Sequence, residues 1–117
     1  MIFIRIAAVL AFLGVALGAF GAHALRDRLS PALLQVWNTA VLYHLLHAVA
    51  LFALGLFMRA TGAQLATGAW LLTAGVIVFS GSLYALALSG IKPLGAITPL
   101  GGVLFLAGWA WLALKAS

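Results

Sequence analysis

The chain contains no cysteine and a single acidic residue, Asp27, in 117 positions. Without cysteine there is no disulfide, no thiolate nucleophile and no cysteine-ligated metal, and the absence says little about compartment. One carboxylate cannot form the paired acids that general acid–base catalysis uses. Neither a nucleophile with an adjacent base nor a phosphate-cradling loop can be assembled from the remaining residues, so the chain reads as a non-enzyme. Charged residues make up only 6% of the chain, whereas 67% is hydrophobic and the mean hydropathy is +1.27. That is far more apolar surface than a soluble domain of this length can bury. An integral membrane protein is the consequence.

A net charge of +5 and a pI near 11.0 would suggest a nucleic-acid partner in a soluble protein. Here the basic residues stand at the ends of apolar runs, as Arg5, Arg59, Lys92 and Lys115 do, and only Arg26 and Arg28 lie close together. Tracking a phosphate backbone takes several clustered cations. The expectation is therefore no nucleic acid, with membrane lipids as the partners and the basic side chains as anchors to their headgroups.

A membrane-crossing helix needs about 20 mainly apolar residues. Four such stretches fit, at approximately 4–24, 36–58, 66–89 and 98–114, giving one integral membrane domain over 1–117. The first ends in Ala22-His23-Ala24, which has the form of a signal-peptide cleavage site. Its apolar core exceeds the ~7–15 residues of such a segment and three further spans follow, so a retained span is expected. Arg26, Asp27 and Arg28 mark a water-facing connection. Ser30-Pro31 then supplies an N-cap and a first-turn proline. The second helix should run unbroken from there to Met58, longer than ~30 Å of hydrocarbon requires, with Gln35, Trp37 and Asn38 in the headgroup region or the helix tilted. Gly90 and Pro93 close the third helix, and Thr98-Pro99 repeats the cap-plus-proline start. An even number of crossings sets Arg5, Arg59 and Lys115 beside both termini and Arg26, Arg28 and Lys92 opposite them. The amino terminus tips that even count toward cytoplasmic ends.

Lipid gives no hydrophobic drive for helix association, so close backbone approach and interhelical hydrogen bonds must supply it. On the first span Ala7, Ala11, Gly14, Gly18 and Gly21 recur at steps of four and three, a narrow small-residue seam. Gly101 and Gly108, one heptad apart, make a second contact point on the fourth span. The third span carries Thr73, Ile77, Ser80 and Tyr84 on one side and Gly75, Ser82, Ala85 and Ser89 on the other, so neighbours are expected on both. These small and polar residues read as helix packing.

The second span holds Tyr43-His-Leu-Leu-His47. Thr39, Ala40, Tyr43, His44 and His47 share an arc of about 140°, while Leu42, Leu45, Val49, Phe52 and Leu56 face the other way. The histidines therefore point into the bundle, where a charged imidazole with no acid nearby would be expensive. They are expected to be neutral and bonded to other helices, with Ser80 and Tyr84 as the partners. The interior polar cluster is thus Tyr43, His44, His47, Ser80 and Tyr84. His23 points away from the seam of its own helix and reads as interfacial.

Two other readings compete. Imidazoles at i and i+3 can face one metal ion or haem iron, but no further acid or thiolate completes a ligand set for His44 and His47, so no cofactor is expected. Alternatively, the cluster lines a cavity for transport or binding of a small molecule or ion. Small multidrug exporters are also short four-span proteins, yet they rely on a membrane-embedded carboxylate, and Asp27 sits in a connection.

Four segments, Gly18–Leu25, Trp37–Ala48, Phe79–Tyr84 and Leu94–Gly102, resemble in the same order the bacterial family called domain of unknown function 423. The resemblance covers nearly the whole chain and implies a small four-span protein of the inner, or plasma, membrane. It places His23, Tyr43, His44, His47, Ser80, Ser82, Tyr84, Thr98 and Pro99 in the family's motif segments and carries no activity across. The reading is an all-α polytopic four-helix bundle. Its function is structural or interactive, with self-association through leftover small-residue faces allowed.

Overall fold

The computed structural model describes residues 1–115 and is helical throughout its spans. Helix α1 covers Ile2–Leu25, its last turn Gly21–Leu25 widened to π geometry; α2 covers Pro31–Thr61; α3 covers Ala66–Ser89 with a π turn at Val76–Ser80. A 3₁₀ turn, Lys92–Ala96, leads into α4, Thr98–Lys115. Each of the four helical stretches is long and apolar enough to cross a bilayer. At 1.5 Å per residue α2 alone is about 46 Å long, and the molecule's longest dimension is 47 Å. Helix α2 therefore extends well beyond ~30 Å of hydrocarbon.

Local chemistry sets the ends. Ser30 Oγ accepts the Leu33 N–H at 3.2 Å with Pro31 in the first turn. Gly62 and Gly90 close α2 and α3 in the left-handed region, at φ 74° and 70°, where a side chain would be strained. Thr98 departs from the expected repeat of the Ser30 cap: its hydroxyl lies 2.6 Å from Ser82 Oγ, across the α3–α4 interface. Ser82 gives its own hydrogen to the Phe79 carbonyl, so Thr98 is the donor of that pair.

The helices run up, down, up and down. Helix α1 packs chiefly on α2, α4 on α3, and α2 and α3 on each other. One apolar cluster, with Phe3, Ala7, Leu51, Leu72, Val76 and Phe105 among its members, fills the end where α1 begins and α2 ends. A smaller one of Leu25, Trp37 and Ala87 fills the other. Between them lies a layer of polar side chains. The outer faces carry large apolar residues such as Phe12 and Leu106, each nearly three-quarters exposed, as a lipid-facing surface requires.

The small residues sit where helices touch. A Cβ on Gly14 would meet Leu45 and His44, one on Gly18 would meet Val41, and one on Gly21 would strike the Trp37 indole. A Cβ on Gly101 would overlap the backbone of Phe79, and one on Gly108 would crowd Leu72. Gly75, expected on a packing face of α3, would strike the Phe105 ring, and Gly55 and Gly68, which the pattern did not mark, make comparable contacts. One expectation fails. Ile77, placed beside Thr73 and Ser80 at regular pitch, is 62% exposed, because the π turn shifts the register of α3 there. Trp37 is buried at 1% exposure, because α1 continues beside it and Gly21 leaves room for its ring.

Candidate functional site

The two histidines of α2 are both buried and both fully bonded. His44 Nε2 lies 2.7 Å from the Leu10 carbonyl oxygen of α1, and Nδ1 lies 2.8 Å from the Tyr84 hydroxyl of α3. A carbonyl only accepts, so the hydrogen is on Nε2 and the phenol donates to Nδ1. His47 is the reverse. Its Nδ1 donates to the Tyr43 carbonyl one turn back, at 2.9 Å, and its Nε2 accepts the indole N–H of Trp109 on α4, at 3.1 Å. The two imidazoles are opposite tautomers of the neutral form. No ring nitrogen of either remains to ligate an ion in this arrangement.

Three residues of spacing turn one side chain about 60° from the other. That is enough to send His44 between α1 and α3 and His47 toward α4. From adjacent turns of a single helix, the pair links all four. The His47 ring also stacks on Phe105, with centroids 3.7 Å apart and planes within 14°.

The expected partners of these rings divide. Tyr84 does bond His44, and its ring packs against Trp37 at a centroid distance of 4.7 Å. Ser80, 1% exposed, reaches neither histidine and donates instead to the Ala40 carbonyl at 2.8 Å, another α2–α3 link. Tyr43 is 39% exposed at the edge of the cluster rather than inside it; its carbonyl serves His47, and its ring lies against Phe79. His23 is exposed at the end of α1.

Two donors were missed. Trp37 Nε1 donates to the Leu17 carbonyl of α1 at 2.9 Å, and Trp109 of α4 is the partner of His47. The signal for the first was present in the sequence, since Gly21 stands four residues after Leu17. Trp109 follows Gly108, a contact point toward α3, and that adjacency was the only pointer to it.

Beside the cluster, a groove of about 460 Å³ opens toward the bilayer between α2 and α4, with Phe79 of α3 among its lining residues. Among the described residues no buried side-chain nitrogen or oxygen lacks a hydrogen-bond partner.

Comparison with known proteins gives relatives without an assigned activity. A family model described as "Protein of unknown function (DUF423)" matches residues 17–102. A UPF0382 membrane protein of Staphylococcus saprophyticus is 45% identical over 113 residues, 97% of this chain and 94% of its own length. One from Staphylococcus epidermidis is 44% identical over 97% of this chain and 93% of its own. The UPF0382 membrane protein YwdK of Bacillus subtilis is 51% identical over a shorter stretch, 44% of this chain and 42% of its own. No solved structure matches. The four apolar helices, the motif segments on them and this similarity along almost the whole chain lead to one conclusion: the chain is a membrane protein and belongs to the DUF423 family.

Proposed function

We propose that the chain acts as a structural or interaction module of the plasma membrane, without enzymatic activity, and that its interior polar residues serve helix packing. The carrying observation is that His44 and His47 use all four ring nitrogens on partners within the bundle while reaching each of the other three helices. Transport of the kind that relies on a membrane-embedded carboxylate has none to use here, since the chain's one acidic side chain, Asp27, lies exposed in the α1–α2 connection. Gly81 and Ala85 share an exposed face of α3, with open space over Gly81, which suits self-association. The module sits with both termini in the cytoplasm.

Replacing His44 with Gln and His47 with Asn tests the packing role. Lower thermal stability in detergent, with no loss of any bound metal or chromophore, is the expected result. A stoichiometric metal or Soret band in protein purified without tag metal, lost in the double variant, refutes it. Because the chain has no cysteine, a single Asp27→Cys or Gln64→Cys change reports orientation. Thiol labelling from outside intact cells should reach the first and spare the second, and the opposite pattern overturns the assigned orientation.

A further inference from the structure

The geometry points to the lateral groove between α2 and α4 as a binding site for a planar, apolar ring molecule bearing a hydrogen-bond acceptor, the chemistry of a membrane quinone. Tyr43 and His47 of α2, Phe79 of α3, and Gly102, Phe105 and Leu106 of α4 line it. Three of its rings present nearly parallel planes: Tyr43 lies within 12° of His47 and 18° of Phe105. Trp109, held by His47, stands beside them in the lining. Parallel aromatic surfaces favour a flat, offset-stacked ring over a flexible acyl chain.

Two features of this groove have no use within the chain. The Tyr43 hydroxyl makes no hydrogen bond with the described residues, whereas His47 and Trp109, the other polar side chains in the lining, are bonded to each other. Tyr43 lies within one turn of the middle of α2, at a depth where no bulk water completes a phenol. A carbonyl-type acceptor on the occupant would accept its hydrogen. Gly102 is the second. Glycine inside a helix is less stable than alanine, and among the described residues no atom beyond its own stretch of helix comes within 4 Å of where its Cβ would stand. The absent side chain keeps the groove deep. Among the described residues no charged side chain lines the groove, which suits a neutral ring and not an ion or a phospholipid headgroup.

This inference is independent of the packing role assigned to the histidines and can fail without it. The full chain in phosphatidylcholine nanodiscs is titrated with a decyl-substituted benzoquinone, and bound ligand is counted by native mass spectrometry. Saturation at one per chain is expected. Tyr43→Phe should weaken binding about five-fold, the value of one neutral hydrogen bond, and decylbenzene, a ring without an acceptor, should be weaker by a similar factor. Gly102→Leu should weaken binding more than ten-fold, whereas Ala8→Leu, on an exposed face of α1 away from the groove, should leave it unchanged. Val103→Trp fills the same groove from an exposed position and decides the matter if Gly102→Leu does not fold. Uptake that never saturates, equal binding by Tyr43→Phe or by decylbenzene, or unchanged binding in the filled variants overturns the proposal. So does a dimer of the parent chain that the filled variants split, since the groove would then hold a second copy.

Discussion

Gly101 and Gly102 are neighbours on α4, yet alanine at the two positions should act in opposite directions. A Cβ on Gly101 would overlap Phe79 N and lie 2.5 Å from Phe79 Cα, so α3 and α4 must separate, because backbone cannot rotate aside as a side chain does. Overpacking a filled interface costs about 1–3 kcal/mol, and contact with backbone puts this case at the upper end. A Cβ on Gly102 meets nothing within 4 Å and removes the helix penalty of glycine, a gain of up to about 1 kcal/mol. The difference between the variants is thus about 3 kcal/mol. Equilibrium unfolding in mixed micelles with increasing SDS, followed by helical circular dichroism, measures both against the parent. Equal midpoints, or a less stable Gly102→Ala, would refute the placement of α4 against the π turn of α3.

Tyr84→Phe removes the donor to His44 Nδ1 while keeping the ring against Trp37, so the same unfolding assay should show a loss of about 1 kcal/mol; Tyr43→Phe, whose hydroxyl holds nothing inside the bundle, should stay within about 0.5 kcal/mol. Gly21→Ala should cost about 2–4 kcal/mol by displacing the buried Trp37 ring and breaking its bond to Leu17, with a measurable change in tryptophan emission. Nitrogen chemical shifts of the two imidazoles should report hydrogen on Nε2 of His44 and on Nδ1 of His47. A shared tautomer would contradict the assigned bonds.

Much of the architecture was legible because membrane physics allows few solutions. Long apolar runs separated by Arg26-Asp27-Arg28, by Thr61-Gly62 and by Gly90 leave little choice but four helices, and the capping chemistry of Ser30, Pro31 and Gly90 is local. The inward aim of His44 and His47 follows from helical pitch alone. Their partners were harder to read, since two of them are backbone carbonyls, Leu10 and Tyr43, and every residue carries one. Ser80 looked like a histidine partner because it is polar and near, yet a hydroxyl on so short a side chain reaches the backbone of the adjacent helix before it reaches a ring. The π turn at Val76–Ser80 has no mark in sequence, and it is what turns Ile77 outward.

The seam on α1 does more than bring backbones together. A helical carbonyl has a second lone pair, directed sideways, and the side chain four residues later shields it. Gly14 follows Leu10 by four and Gly21 follows Leu17 by four, and those two carbonyls receive His44 Nε2 and Trp37 Nε1. Acceptors one heptad apart on α1 meet donors one heptad apart on α2, in antiparallel order. Gly18, between them, faces Val41 and has no such donor, and its Cβ would meet that side chain at 3.2 Å with no ring beyond it. The outer two of the seam's three glycines thus have a role the middle one lacks, exposing backbone acceptors to side chains of the next helix. In a bilayer, where water cannot stand in as a partner, such exposed acceptors give α1 and α2 a fixed register as well as a close contact.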